Sequence, residues 1–341
     1  MKKSLLALTA LATAAGAAAQ STSVTLFGAD VSVARITSTD KSVSGLANGG
    51  NSSSRLGFRG VEDLGGGLKA GFWLEGGLSV DDGGSGFKFD RRSTVSLSGN
   101  FGEVRLGRDK APSYQNLEAF HALGDTGMGA INGHSLISGS ATGTPEGSNP
   151  KRLSNSVSYL LPKLGGVYGQ VSYGFGEKAD STSLSSTMGL RAGYANGPLN
   201  VAAAYGVVKG GTAAATVDYK NFNLGAAYAF GAFTPMVLIA SERGNDKRVD
   251  LYSIGVKAPV GPGELRAALS WYKDKKVDNN DSRRLALGYG YPLSKRTELY
   301  AAVARLSNDA KAARKLGSSL SPTPGVGNSL TGYEFGLRHN F

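Results

Sequence analysis

Arginines recur at alternate positions in several short apolar segments of this sequence. Arg55 and Arg59 flank Leu56 and Phe58, and Arg105 lies between two apolar residues. Successive side chains of an extended strand point to opposite faces, so these arginines would share a polar face behind an apolar one. Guanidinium groups bind anions through their charge and their forked N–H donors. The spacing therefore predicts anion binding along one face of a sheet.

A later segment that begins at Arg152 has the same alternation. Its apolar residues share one parity, which we expect to face outward: Leu153, Val157, Tyr159 and Leu161. The other parity then places Arg152 with Ser154, Ser156 and Ser158 on the polar face. Arg91 does not fit this pattern, because simple alternation puts it on the apolar face with Val95 and Leu97.

Residues that could support catalysis or metal binding are few. The chain contains three histidines, His121, His134 and His339, and no cysteine. Ser135 beside His134 does not indicate a catalytic pair, because geometry and not sequence adjacency defines one. Asp81 and Asp82 could bind a divalent cation or simply be solvated. Neither a metal-ligand spacing nor a phosphate-binding glycine loop occurs, so we expect no cofactor and no metal.

The last ten residues indicate which elements carry these side chains. Tyr333, Phe335, Leu337, His339 and Phe341 share one face of an extended strand, and the residues between them are polar or glycine. An apolar, aromatic-rich outer face on a strand of about ten residues is typical of a transmembrane barrel. Glycine, at 50 of 341 residues, also favours an all-β chain. A helical membrane protein is excluded, because no later run approaches 18 apolar residues.

The N-terminus predicts export. Lys2 and Lys3 precede an apolar stretch and three alanines, so we expect residues 1–19 to be a signal peptide and residues 20–341 to form the barrel. A membrane-anchoring helix is the alternative. Without the signal the chain has 35 basic and 26 acidic residues, a net charge of +9. Export argues against nucleic acid as the partner of this charge.

Turn signals divide the chain into segments joined alternately by short and long connections. Seven short turns and eight long loops would join sixteen strands, an even number typical of channel-forming barrels. The long loops are expected at residues 37–53, 79–89, 109–151, 176–186, 208–220, 242–248, 274–281 and 306–329. A secreted, soluble β-sandwich is the structural alternative.

Several stretches resemble the trimeric general porins of Gram-negative bacteria, particularly the betaproteobacterial and neisserial type. The stretches are VTLFG at 24–28, SRLGFRGVEDLGGGLKA at 54–70, RLGR at 105–108, RLSNSVSY at 152–159 and the terminal Phe341. The resemblance implies a 16-stranded antiparallel barrel in the outer membrane, a homotrimer, and a long third loop folded into the lumen. Where the family often has Pro-Glu-Phe-Gly in that loop, this chain has FHALGDTG at 120–127.

The same resemblance places Arg91 in the pore and gives Phe341 the role of an assembly signal for the outer-membrane insertion machinery. An aromatic girdle position is the other interpretation of Phe341. Lipid and lipopolysaccharide are the expected surroundings.

The resulting hypothesis is a passive channel for small anionic and neutral solutes. The expected basic constriction cluster is Arg55, Arg91 and Arg152, supported by Arg59, Arg92, Arg105, Arg108 and Lys110, with Glu118 and Asp125 on the loop opposite. Each arginine alone could instead be a solvated lumen residue or bind lipopolysaccharide phosphate. Alternative functions are a substrate-specific anion porin and a barrel without a channel, such as an adhesin.

Overall fold

The computed structural model describes residues 27–84, 86–131, 136–137, 150–179 and 184–341. The predicted signal peptide at residues 1–19 lies outside them. The strands are β1 Gly28–Ser38, β2 Ser42–Asn48, β3 Arg55–Gly65, β4 Leu68–Gly77, β5 Arg92–Gly99, β6 Gly102–Lys110, β7 Arg152–Leu160, β8 Val167–Gly174, β9 Thr187–Asn196, β10 Leu199–Gly211, β11 Thr216–Tyr228, β12 Thr234–Gly244, β13 Lys247–Val260, β14 Gly263–Asp274, β15 Ser282–Pro292, β16 Thr297–Asn308 and β17 Leu330–Asn340. One helix, α1 Pro112–Ala119, follows β6.

The sheet closes on itself. All eleven residues of β1 pair antiparallel with β17, from Gly28 opposite Asn340 to Ser38 opposite Leu330. β2 pairs with the later part of β1, and β3 meets β1 only where Arg55 lies opposite Gly28. β2 and β3 are therefore two segments of one wall strand. The wall has sixteen strands, as the sequence predicts.

A short inward detour interrupts that wall strand at residues 49–54. The carboxylate of Asp30 accepts hydrogen bonds from the backbone N–H groups of Gly50, Asn51 and Ser52 at 2.9 to 3.2 Å. Buried backbone donors need such partners, so the inward-facing carboxylate of β1 stabilises this turn. The prediction of one continuous loop at residues 37–53 is wrong, because β2 lies within it.

Alternation separates an apolar outer face from a polar inner face. On β17, Tyr333 and Phe335 are 57% and 59% exposed, whereas Glu334 between them is 3% exposed. Val33 on β1 is exposed, and Ser32 beside it is buried. Bulky apolar side chains therefore cover the outside, and polar side chains line the inside. Among the described residues, no helix has the length and apolar character needed to cross a membrane.

The seven short turns lie where the sequence predicts them, and the long connections lie at the other end of the barrel. Two predicted long loops are wrong. Only residues 212–215 join β10 to β11, and only 245–246 join β12 to β13. Polar residues at this end, such as Lys209 and Asp218, still pair as parts of strands. Assigning polar residues to loops therefore made these two loops too long.

β7 contains a bulge that the alternation rule misses. Gly107 pairs with Ser156, but Asp109 pairs with Leu153, so β7 has one extra residue there. Asn155 takes up this residue with a φ of 49°, a conformation that Asn tolerates better than most residues. The bulge reverses the parity of Leu153, which is buried with Ala111 and Tyr114 instead of facing outward.

The third long loop begins after β6 and returns at Lys151. Its described part packs against the inner face of distant wall strands. Asn116 on α1 donates hydrogen bonds to Ala202 on β10 and Asn223 on β11. The N–H of Met128 donates to Oε1 of Glu334 on β17 at 2.7 Å. The loop thus connects β6 with inner residues on the far side of the barrel.

Candidate functional site

The inner faces of β3 to β7, together with the residues beside them, carry six arginines. We name this set the basic wall: Arg55, Arg59, Arg91, Arg92, Arg105 and Arg152. The prediction that Arg108 also lines the pore is wrong, because Arg108 precedes the inward Asp109 and has the outward parity of Leu106. Strand pairing places Arg55 opposite Gly77 and Arg59 opposite Trp73, while Phe58 between them faces outward. The period of two therefore confirms the inward prediction for these two arginines.

Arg91 is bound by a carboxylate that the sequence interpretation did not include. Arg91 immediately precedes β5, and its Nε donates to Oε1 of Glu75 at 2.7 Å. The Nε of Arg55 lies 3.9 Å from the same oxygen. Arg91 is therefore on the inner side, because its side chain leaves the backbone before regular alternation begins. Glu75 shares its charge between two arginines of the predicted cluster.

Arg92 and Arg59 lie against the indole of Trp73. The guanidinium carbon of Arg92 is 4.3 Å from the ring centroid, and that of Arg59 is 5.4 Å away. Trp73 faces inward because its neighbours Phe72 and Leu74 have the outward parity. Cation–π contacts leave the guanidinium charge in place while fixing its position.

Arg105 takes part in an ion-pair network along β6. Its Nε is 2.7 Å from Oε1 of Glu103, and its Nη1 is 3.0 Å from Oδ2 of Asp109. The Nε of Arg92 lies 3.8 Å from the same Asp109 oxygen. Two carboxylates thus compensate part of the positive charge here.

Arg152 and Arg108 donate to neutral oxygens. Nε of Arg152 donates to the carbonyl oxygen of Arg91 at 2.7 Å. Arg108 donates to the carbonyl oxygen of Asp90 and to the hydroxyl of Ser154. Within the described ranges, neither arginine has a carboxylate at ion-pair distance. Their charges are therefore not neutralised by a local ion pair.

One acidic residue of the third loop, Glu118, lies beside the end of β6. Glu118 on α1 forms an ion pair with Nζ of Lys110, the last residue of β6. This differs from the predicted position opposite the cluster. The physical reason is that α1 begins two residues after β6 ends, so Glu118 returns directly over Lys110.

Asp125 accepts a hydrogen bond from the hydroxyl of Tyr114. Burial raises the pKa of Asp125, but the bond from Tyr114 and the charge of Lys151 outweigh burial, so the net pKa lies below its usual range. Burial, assisted by the Asp125 charge, raises the pKa of Tyr114. Asp125 is therefore ionised, and Tyr114 is a neutral donor.

Lys151 is a cation that sequence reasoning missed. Its Nζ lies 5.4 Å from the ring centroid of Tyr114. Burial lowers the pKa of Lys151, although the nearby Asp125 carboxylate opposes this shift. Its position directly before Arg152 is the signal that could have identified it. Four further inward basic residues lie on strands outside the stretches that carry the predicted cluster: Arg191, Lys257, Arg266 and Arg338.

The charges around the basic wall do not cancel. The six arginines with Lys110 and Lys151 are eight cations. Six acidic residues accompany them: Glu75, Asp90, Glu103, Asp109, Glu118 and Asp125. Eight minus six leaves an excess of two positive charges. Fixed positive charge between low-dielectric walls concentrates anions and repels cations.

The two described histidines lie apart from the basic wall. His121 is buried in the third loop, where burial lowers its pKa well below the usual range. His134 lies outside the described residues. His339 is on the outward face, where its Nδ1 lies 2.9 Å from the hydroxyl of Thr297. Phe341 is 52% exposed, and its N–H donates to the carbonyl oxygen of Phe27.

Comparison with known proteins identifies the family of this barrel. Residues 7–311 match the family model for Gram-negative porins. The chain is 42% identical to outer membrane porin protein 32 of Delftia acidovorans, over all of both chains. It is 36% identical over 198 residues to major outer membrane protein P.IB of Neisseria gonorrhoeae, which covers 56% of this chain and 53% of that protein.

A solved structure has the same architecture. The anion-selective porin from Comamonas acidovorans superposes with a TM-score of 0.85 at 39% identity, over 94% of this chain and 100% of that one. These relatives are porins, which are channels rather than enzymes. The structure is a closed sixteen-strand wall with an apolar outside and a polar inside. The family model matches most of the chain. The chain belongs to the Gram-negative porin family and is a diffusion porin of the outer membrane.

Proposed function

We propose that this porin prefers anions and that the basic wall sets the preference. The observation that carries the proposal is the excess of two positive charges where the third loop meets β3 to β7. Rings of Arg and Lys select anions in pores, because they lower the energy of an anion that has partly lost its hydration. The anion selectivity named for the Comamonas acidovorans porin is consistent with this proposal.

The residues divide into two roles under this proposal. Arg152 supplies charge that no ion pair among the described residues neutralises, and Lys151 adds a buried cation beside Asp125. Arg55 and Arg91 share Glu75 and act mainly as positioned N–H donors. Glu118 and Asp125 reduce the field locally. The third loop narrows the channel at this level.

Transport needs no cofactor and no energy source other than the solute gradient. Small anionic and neutral hydrophilic solutes would pass, and anions would pass faster. We further propose a homotrimer surrounded by outer-membrane lipid and lipopolysaccharide, exported through cleavage of residues 1–19 and recognised by the insertion machinery through Phe341. Family membership supports these assignments.

A substrate-specific anion porin is the second candidate, and one observation favours it. A recess of about 400 Å³ opens beside Arg152 and is lined also by Ser154, Lys209 and Tyr219. Such a recess could retain an anion for longer than free diffusion requires. Conductance that saturates at low anion concentration would support this function, and conductance proportional to salt would support general diffusion. A barrel without a channel is disfavoured by its polar inner face.

Single-channel recording in planar bilayers tests the proposed function. The purified protein should give ohmic steps, and the reversal potential across a KCl gradient should have the sign of chloride preference. Potassium preference would contradict the assigned role of the basic wall. Absence of conductance from folded barrels would contradict the channel itself.

A further inference from the structure

Three arginines face outward near the long-loop end of the barrel. On β1, β15 and β16 the outward parity is marked by Val33, Leu285 and Val303, which are all exposed. Arg35 follows Val33 by two residues, Arg305 follows Val303 by two, and Arg283 precedes Leu285 by two. Each arginine therefore lies on the outer face. All three side chains are exposed.

Strand register brings these arginines into one oblique row. Arg305 lies opposite Leu285 on one side and Thr331 on the other. Arg35 lies opposite Tyr333, one outward position from Thr331. The row spans β15, β16, β17 and β1, a width of about 15 Å at the usual spacing between strands. We name Arg35, Arg283 and Arg305 the outer arginine row.

In the described part of the chain, two members of the outer arginine row have hydroxyl partners and none has an acidic partner. Arg35 donates to Ser44 at 3.0 Å, and Arg305 donates to Thr331 at 3.1 Å. None of the three forms an ion pair within the described part of the chain. Other cations at this end do have acidic partners, as in the pairs Lys273–Asp281, Arg248–Asp250 and Lys209–Asp218. The row therefore presents unneutralised donors to the outside.

An apolar groove of about 640 Å³ lies next to this row, on the side nearer the short turns. Its lining includes Val33, Leu287, Ala301, Val303, Tyr333 and Phe335. Ala301 lies opposite Phe335 on one side and Tyr289 on the other, so one small side chain among large ones gives the groove its depth. Val33 and Val303 are each two residues, about 7 Å, from an arginine of the row.

We propose that the outer arginine row and the groove together bind one molecule of a phosphorylated, multiply acylated glycolipid of the lipid A type. The phosphates would accept hydrogen bonds from Arg35, Arg283 and Arg305, and one acyl chain would occupy the groove over Ala301. Arginine suits phosphate because its forked donors match the phosphate oxygens. The long loops of outer-membrane barrels are extracellular, which places the row at the outer-leaflet headgroups. The site deepens the proposed association with lipopolysaccharide and rests on it.

Charge complementarity favours a lipid over a second copy of the chain. A contact between copies would remove three guanidinium groups from water, and burial of an unpaired charge costs several kcal/mol. A phosphorylated lipid brings its own negative charges and its own chain for the groove. One ligand thus satisfies both halves of the site.

Native mass spectrometry of the detergent-solubilised full protein, titrated with bisphosphorylated lipid A, tests the proposal. The test variant is R35Q/R283Q/R305Q. The matched control is K220Q/R243Q. Lys220 and Arg243 lie opposite each other on β11 and β12, and neither forms an ion pair in the described structure. Each basic group near an anionic surface contributes about a factor of five, so the test variant should bind lipid A roughly a hundredfold more weakly. The control should change much less.

A second variant, Ala301→Phe, fills the groove without altering charge and should also weaken binding. Dephosphorylated lipid A should bind poorly to the unmodified protein, a result that does not depend on the folding of any variant. Equal lipid binding by the test variant, equal loss in the control, or lipid binding that ignores the phosphates would each overturn the site. Loss of oligomers from the test variant with lipid binding retained would instead assign this face to contact between copies.

The channel measurements remain independent of this site. Because the outer arginine row faces away from the lumen, the test variant should retain the conductance and reversal potential of the unmodified protein. Cation preference of the unmodified protein would overturn the proposed function and leave the lipid result standing. If the unmodified protein prefers anions but the test variant binds lipid A as well as the unmodified protein does, the lipid site is overturned and the proposed function stands.

Discussion

Nε of Arg91 donates to Oε1 of Glu75 at 2.7 Å, and this pair joins the start of β5 to the inner face of β4. The same carboxylate oxygen lies 3.9 Å from Nε of Arg55. One acidic side chain thus holds two arginines of the basic wall and reduces their charge. The arginine pattern alone does not reveal this carboxylate within the predicted cluster.

Replacing Glu75 by Gln should raise anion preference. The amide keeps the size of the side chain and an oxygen acceptor for Arg91, but it removes one negative charge from the narrow part of the lumen. We expect the chloride-to-potassium permeability ratio to rise by roughly a factor of two or more. Reversal potentials across a KCl gradient measure this ratio. An unchanged or lower ratio would mean that Glu75 does not influence the field that permeating ions experience.

How much of this site could be predicted from sequence depends on strand regularity. Alternation correctly placed Arg55, Arg59 and Arg105, because β3 and β6 are regular where these residues lie. It failed at Leu153, because β7 has one extra residue at a bulge and the parity is reversed beyond it. Asn155 has a positive φ in this bulge.

Partner identity was harder to predict than side-chain direction. Glu75 has the same parity as Trp73 on β4, so alternation marks it as inward. Its pairing with Arg91, however, depends on how β4 and β5 are aligned and on where β5 begins. The contact of Glu118 with Lys110 likewise follows from the path of the third loop, which no local pattern encodes.

Asn116 should be essential for holding the third loop. It is fully buried, donates to Ala202 and Asn223, and accepts from Nε of Arg191 at 3.0 Å. Asn116→Ala leaves buried partners unsatisfied, which costs about 1–3 kcal/mol for each orphaned group. We expect a lower unfolding temperature in detergent and noisier open-channel current. A variant with unchanged stability and quiet current would contradict this role; Asn196→Ala, at an exposed turn, is the control.

Lys151 should make selectivity depend on alkaline pH. Burial lowers the pKa of Lys151, the Asp125 carboxylate raises it, and the charges of Arg152 and Arg91 lower it, with a net value below that of an ordinary lysine. The ammonium is therefore lost below the ordinary lysine pKa of about 10.4. Because the cation is disfavoured in the folded state, Lys151 opposes stability below its folded pKa, and this cost disappears as pH rises toward the unfolded value.

We accordingly expect anion preference to decline as the pH rises toward the ordinary lysine pKa, while ordinary lysines remain charged. Reversal potentials recorded as the pH is raised measure the decline. Lys151→Arg should shift the decline to higher pH, and Lys151→Gln should remove it while lowering anion preference at neutral pH. A decline of the same size in the Gln variant would assign the titration to another group.

Phe341 should matter more for assembly than for the folded barrel. Its ring is half exposed and makes an edge contact with His339, with centroids 5.6 Å apart. Phe341→Ala should therefore reduce the amount of folded protein in the outer membrane while leaving the stability of protein refolded in detergent nearly unchanged. Phe335→Ala is the matched control, because Phe335 is similarly exposed and lies on β17, which ends just before Phe341. Equal assembly of both variants would refute a special role for the terminal residue.

The reversal potential across a KCl gradient, compared between the unmodified protein and R55S/R91S/R152S, tests the central claim most directly. If the basic wall sets selectivity, the unmodified channel prefers chloride and the triple variant loses most of that preference while still conducting. The contradicting result is the same chloride preference in both proteins.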